Sequence, residues 1–157
     1  MPDVVVTVPQ NFRWDASPHT GLLAWADEGG LPGEEDCADY MYSTGGMKPD
    51  ISPGERVYIV CEGRLRGYAP LVRLEFFPRN GGWGNIWLER AGGAVAVTIE
   101  RPITGFRGWR YRWWARSDER PFPEWLADAR CRCAECRAAR APMPLFAAAA
   151  KEQADGI

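Results

Sequence analysis

Histidine is nearly absent: His19 is the only one in 157 residues. That excludes a two-histidine metal site and leaves no second imidazole to act as a general base. The fingerprints of common catalytic and nucleotide-binding machinery are missing too. There is no G-x-S-x-G, H-E-x-x-H, P-loop or dinucleotide motif, and the pairs Gly45-Gly46, Gly81-Gly82 and Gly92-Gly93 read as turn punctuation. No apolar run approaches the ~18–20 residues of a membrane span. The opening segment has no basic flank, and its apolar run, Val4 to Val8, is too short for a secretory leader. Five cysteines in such a chain do not suggest a disulfide framework, so the expectation is a reduced, cytoplasmic protein with no membrane partner. No internal repeat is evident.

What the chain does have is tryptophan. There are eight, seven of them between Trp25 and Trp125, and they must fill an aromatic core or build a surface for flat ligands. The net charge of −2 hides an asymmetry: residues 1–55 carry two basic and ten acidic side chains, and residues 56–157 carry seventeen basic and eleven acidic. The split allows a basic face, while a pI near 5.5 argues against strong non-specific binding to duplex DNA. The length suits one core. We read residues 1–120 as one domain, 121–140 as a C-terminal helix packed on it, and 141–157 as a tail.

The clearest signal is a hairpin from Gly54 to Phe76. Val57 to Cys61 is a β-rich apolar run, Glu62-Gly63 supplies the turn, and the return leg alternates, with Val72, Leu74 and Phe76 on one face and Arg73, Glu75 and Phe77 on the other. Gly67 marks a bulge, and Pro70 belongs at an edge or bulge. Val4 to Val8 is a first strand. Ser17 caps a short helix with Pro18 at its first position, running through Leu22, Trp25 and Ala26 to Gly29-Gly30. Leu31 to Pro53 reads as an acidic surface connection with a helical turn around Cys37 to Met41. Trp83 sits on a loop, Ile86 to Leu88 is a brief strand, and Val95, Val97 and Ile99 alternate along another. Trp109 to Trp114 is the last strand and Glu124 to about Ala139 a helix. Strands with a helix near each end make an α+β domain.

Two groups of residues carry candidate chemistry. Cys131, Cys133 and Cys136 form C-x-C-x-x-C, a thiolate grouping suited to zinc, with a fourth ligand from Cys37, Cys61, His19 or a carboxylate. On one helix, however, Cys131 and Cys133 would point ~200° apart, so the favoured reading is of small apolar side chains on a buried face and no cofactor. The second group is aromatic and basic: Trp14, Trp25, Trp83, Trp87, Trp109, Trp113 and Trp114 interleaved with Arg64, Arg66, Arg107, Arg110 and Arg112. Flat rings stack on bases and guanidinium groups hold phosphates. Trp14 and Trp83, on predicted loops, are the leading pocket candidates. His19 reads as a helix-terminal surface residue.

The order strand, short helix, acidic connection, then the hairpin ERVYIVCEGRLRGYAPLVRLEF and two further strands resembles the PUA-like superfamily, which includes EVE, ASCH and YTH domains. The resemblance covers roughly Val4 to Trp114 and implies a small mixed β pseudo-barrel that binds RNA or single-stranded or modified DNA. It also implies that the loop Phe12 to Ser17 and nearby aromatics form a pocket for a modified base. The expected ligand-binding set is Trp14, Ser17, Trp25, Tyr68 and Trp83, with Arg64, Arg66, Arg110 and Arg112 on nucleic acid. The alternatives are a small ASCH-like ribonuclease or hydrolase using Asp15, His19 or the acidic loop with a metal, and a protein-interaction module.

Overall fold

The computed structural model of the protein describes residues 2–13, 17–29, 40–92, 95–124 and 134–140. In chain order the elements are β1 (Val4–Thr7), α1 (Gly21–Gly29), β2 (Tyr40–Met47), β3 (Arg56–Cys61), β4 (Arg64–Pro78), β5 (Trp83–Arg90), β6 (Val97–Thr98), β7 (Trp109–Tyr111), β8 (Arg120–Pro121) and α2 (Ala134–Arg140). Among the described residues six strands make one sheet, in the order β2-β5-β4-β3-β1-β7, and β6 pairs with β8. β1 runs parallel to β3; the other pairs are antiparallel.

The β3–β4 hairpin forms where the sequence places it. Glu62 (φ 52°) and Gly63 (φ 80°) both take positive φ, the mirror-image two-residue turn whose twist matches that of the strands it joins. The expected bulge is present: pairing runs to Ile59 opposite Gly67 and resumes at Val60 opposite Leu65, leaving Arg66 as the extra residue. Gly67 is required here, since its φ is +151° and a Cβ would lie 2.4 Å from the Val95 carbonyl oxygen. β4 is fifteen residues long and serves two neighbours, β3 with its first half and β5 with its second. Pro70 lies at the changeover. A second irregularity between Leu71 and Arg73 takes Val72 out of step. Leu74 and Phe76 therefore pack against the core as expected, while Val72 is exposed.

These bends curl the sheet into a half-barrel whose edge strands, β2 and β7, approach one another. The Trp109 Nε1–H donates to the Met47 carbonyl (2.8 Å), and the Asp50 N–H donates to the Tyr111 hydroxyl (2.9 Å). The result is a small, mostly β, barrel-like fold with two short helices among the described residues. β1 and β3 are covered on both faces. Val4, Val6, Val57 and Ile59 pack with Leu22, Trp25, Ile86 and Leu88, and Val5, Tyr58 and Val60 pack with Leu65, Ile103 and Trp114. Two-sided burial is why these strands read as unbroken apolar runs rather than as alternation.

Several elements differ from the sequence reading. Residues 40–47, placed in a surface connection, are an eight-residue edge strand, so Gly45-Gly46 is strand rather than turn. Trp83 opens β5 instead of riding on a loop. α1 begins at Gly21, beyond the expected start at Pro18, and the Ser17 hydroxyl accepts from the His19 N–H (3.1 Å) in a tight turn ahead of it. Of the Val95–Ile99 strand, Val95 makes a single bridge to Tyr68 and Val97–Thr98 pair with β8. β7 ends at Tyr111, after which Arg112 turns to the buried Asp3 carboxylate and Trp114 enters the core. Of the helix expected over 124–139, the part described, Ala134 to Arg140, is helical, and residues 125–133 lie outside the described residues. Cys37, Trp125 and residues 141–157 lie outside the described residues.

Candidate functional site

The seam between β2 and β7 holds an open cleft. A glycine-permitted turn at Asn80–Gly82, with Gly81 at φ +70° and Gly82 at +78°, delivers Trp83 to the start of β5, opposite Met47. The indole lies over β2 because Gly45 has no side chain: a Cβ there would meet Trp83 Cζ2 at 2.9 Å. On the next residue a Cβ at Gly46 would come within 3.3 Å of Trp109 Nε1. The segment before β7 reaches the same floor, where a Cβ on Gly108 would stand 3.1 Å from the Gly45 carbonyl oxygen.

Together Gly45, Gly46, Trp83, Asn85, Arg107 and Trp109 border an open cleft of about 690 Å³. That is within the ~300–1,000 Å³ of small-molecule sites. A second hollow of about 490 Å³ adjoins it across Arg107 and Gly108 and is bordered by Thr7, Tyr42 and Phe106. Arg107 is exposed between the two and makes no ion pair or hydrogen bond among the described residues. β2 pairs with β5 alone among those residues, so its other edge turns toward the cleft without a strand ladder to meet it. The lining thus offers two indoles, an amide, a free guanidinium and strand-edge peptide groups. Those are parts for holding a flat, polar-edged ligand.

The titratable groups give little support to chemistry here. The Tyr42 hydroxyl beside the second hollow donates to the Thr7 carbonyl (2.6 Å), and burial, opposed by the nearby Arg90 guanidinium, pushes its pKa up to about 12. At neutral pH it is a donor and not a base. Burial likewise pushes the Cys61 thiol up to about 11, with Glu62 adding to the shift, which leaves it an inert core thiol. Among the described residues no three His, Cys, Asp or Glu side chains converge.

The structure distributes the residues singled out from sequence widely. Trp83, 49% exposed, is in the cleft. Trp25 is 2% exposed and packs edge-on against Phe12 (5.6 Å) and Tyr42 (5.3 Å). Ser17 is buried in its turn. Tyr68 is half-buried, with the Arg56 guanidinium 4.0 Å above its ring. Arg64 lies over Phe122 (4.2 Å), and Arg66, fully buried by the bulge, donates to the Cys61 carbonyl (2.9 Å). Arg110 is exposed beside Phe106, whereas Arg112 is committed to Asp3 (3.0 Å). Trp14, Asp15, Cys131 and Cys133 lie outside the described residues. Trp109, Arg107 and the glycine floor were not in the sequence-derived set. Only Trp109 and Arg107 had a signal, as members of the aromatic and basic constellation.

Asp3 is the electrostatic anchor of this end of the sheet. Its side chain is fully buried and accepts from the Arg56 N–H (2.9 Å), Arg112 Nε (3.0 Å) and Arg116 Nη2 (2.8 Å). Burial alone would raise its pKa, but these donors outweigh burial and hold the carboxyl below its ordinary value. Nearby, Glu119 accepts from the Tyr58 hydroxyl (2.7 Å) and Trp114 Nε1 (2.9 Å), tying the segment after β7 back onto β3. These bonds fix the exit of β7 and so the position of Trp109.

Compared with family models, with curated proteins and with solved structures, the chain matches none.

Proposed function

We propose that this protein is a nucleic-acid-binding module on a PUA-like pseudo-barrel, taking a base of RNA or single-stranded DNA, modified bases included, into the cleft at the β2–β7 seam. The observation that carries the reading is the pairing of Trp83 and Trp109 above a floor stripped of side chains at Gly45 and Gly46, with the unpaired Arg107 at its rim. An indole face stacks on a base for ~1–3 kcal/mol, and strand-edge peptide groups with the Asn85 amide are suited to the polar edge of that base. Arg107 at the rim would hold one phosphate, and the exposed Arg110, over the ring of Phe106 that borders the second hollow, would reach a second. Two phosphate contacts imply a weak salt dependence, a slope of about −1.4 for a single strand, in keeping with a pI near 5.5.

Titration with short single-stranded RNA tests the proposal. Trp83→Ala is expected to weaken binding by about 5- to 150-fold, the loss of one stacking face, without unfolding a protein in which that ring is half exposed. Unchanged affinity in a folded variant would sink it.

One observation favours a protein-interaction surface as a second reading. Met47, Phe77, Trp83 and Trp87 are all exposed on the outer face of β2, β5 and β4, with Phe77 and Trp87 in ring contact at 5.0 Å. That reading predicts self-association or protein capture lost on Trp87→Ala and indifferent to Arg107→Ala.

A further inference from the structure

The cleft at the β2–β7 seam does not end at its rim. The hollow of about 490 Å³ beside it shares the lining residues Arg107 and Gly108, so the segment 104–108 divides one from the other. The divider is low and fixed. Gly108, at φ +74°, has no side chain to raise it, and Gly105 lies so close to Thr7 that a Cβ would meet Cγ2 at 3.1 Å. Ahead of the segment the buried Ile103 donates its N–H to the Gly63 carbonyl (2.8 Å). In its middle the Phe106 N–H donates to the Thr7 hydroxyl (3.1 Å), and behind it Trp109 pairs with Val6 in the sheet. The charged side chain on the divider is Arg107, exposed and engaged by no ion pair or hydrogen bond among the described residues.

The second hollow has the parts of a base site of its own, and its volume is within the range of small-molecule sites. Phe106 borders it with a ring held in place by the Arg110 guanidinium over it (4.4 Å to the centroid) and by Trp113 edge-on (6.1 Å). Two hydroxyls accompany that ring. Tyr42 gives its proton to the Thr7 carbonyl (2.6 Å) and so meets a ligand as an acceptor. The Thr7 hydroxyl, which accepts from the Phe106 N–H, keeps its own proton to give. An aromatic wall with one donor and one acceptor suits the face and edge of an unpaired base. Each hollow thus has aromatic and hydrogen-bonding groups, and a cation stands between them, which is the alternation of base and phosphate along a single strand.

We propose that the two hollows take two consecutive nucleotides of a single strand. The first base stacks with Trp83 and Trp109 in the cleft, the second stacks on Phe106 in the adjoining hollow, and the phosphodiester between them lies on Arg107. This rests on the reading of the cleft as a base site and adds a length to it: the unit recognised is a dinucleotide step. The second subsite gains from linkage, because its base arrives tethered to one already bound.

The test titrates the full chain with each of the four ribonucleosides, with the matching homodinucleoside monophosphates, and with the same dinucleosides joined by an uncharged methylphosphonate, following tryptophan fluorescence. For the best-bound base the dinucleoside monophosphate is expected to bind about 5- to 150-fold tighter than the nucleoside, the gain of one stacking contact. Phe106→Leu, which keeps an apolar side chain and removes the flat ring, should abolish that gain and leave nucleoside affinity within twofold. Arg107→Ala should weaken the dinucleoside monophosphate and leave the methylphosphonate unaffected. A nucleoside that binds, is lost in Trp83→Ala and gains nothing from a second nucleotide would overturn the dinucleotide step while leaving the base site standing. A gain that survives Phe106→Leu would overturn it too. No binding by any nucleoside or dinucleoside would remove the base site and the step together. Should Phe106→Leu fail to fold, the comparison of nucleoside with dinucleoside on the unaltered chain still decides.

Discussion

Gly45→Ala separates binding from folding more cleanly than removal of either tryptophan. The added methyl would meet Trp83 Cζ2 at 2.9 Å and Cη2 at 3.1 Å, so one of them must move. The atoms in the way are the far edge of an indole that is 49% exposed, and the ring can swing outward. Gly45 has no positive φ, so alanine fits its backbone and recovers ~0.5–1 kcal/mol of the entropy that glycine loses in a strand. The steric cost and this gain are of similar size, and net stability should stay within about 1 kcal/mol, a shift of ~2–4 °C in melting temperature. Binding has no such compensation. The cleft floor rises and one wall leaves, removing ~1–3 kcal/mol of stacking, or about 5- to 150-fold in Kd for a short single strand. Calorimetric titration and a thermal melt on the same sample read both quantities. Affinity within twofold of the parent, with an intact fold, would refute the claim that Trp83 over Gly45 forms a wall of the site.

Other substitutions probe the frame. Gly67→Ala should destabilise by more than about 3 kcal/mol in denaturant titration, since its Cβ has the Val95 carbonyl oxygen 2.4 Å away and a φ of +151° to adopt. Asp3→Asn should cost about 2–3 kcal/mol, below the ~3–5 of a fully buried pair because Arg116 is 47% exposed and can turn to water. The Asp3 carboxyl has a depressed pKa, so its contribution is fully present above the ordinary value of 3.8 and is lost as pH falls from there through the folded-state pKa. Urea titrations across that range should show the acid-side loss in the parent and a flatter profile in Asp3→Asn. Arg107→Ala should leave the melt unchanged and reduce the salt slope of RNA binding by about 0.7, one phosphate contact.

The parts of this molecule legible in its sequence are those decided by near neighbours. A two-residue turn between apolar runs gives the β3–β4 hairpin, and a glycine after Arg66 gives the bulge. Gly45-Gly46 shows the limit. Two glycines in a row signal a turn unless a ring from elsewhere needs the room, and the ring that needs it, Trp83, arrives from β5 far along the chain. Arginine is similarly ambiguous. Nothing local distinguishes Arg66, turned into the interior by the bulge, from Arg107, which stands free at the cleft, and Arg112 is committed to a carboxylate near the opposite end of the chain. His19 and Cys136 meet for the same non-local reason, through the fold and not through spacing.

The central claim is that a base stacks between Trp83 and Trp109, and the most direct measurement follows the indole N–H resonances of ¹⁵N-labelled protein, assigned by single Trp→Phe variants, as nucleosides and short single strands are added. The account predicts saturable shifts of the Trp83 and Trp109 signals, with the buried Trp25 and Trp114 unmoved, and the same pattern from a free nucleoside as from a strand. Shifts confined to Trp87 or Trp113, or no indole response to any nucleoside or strand, would contradict it.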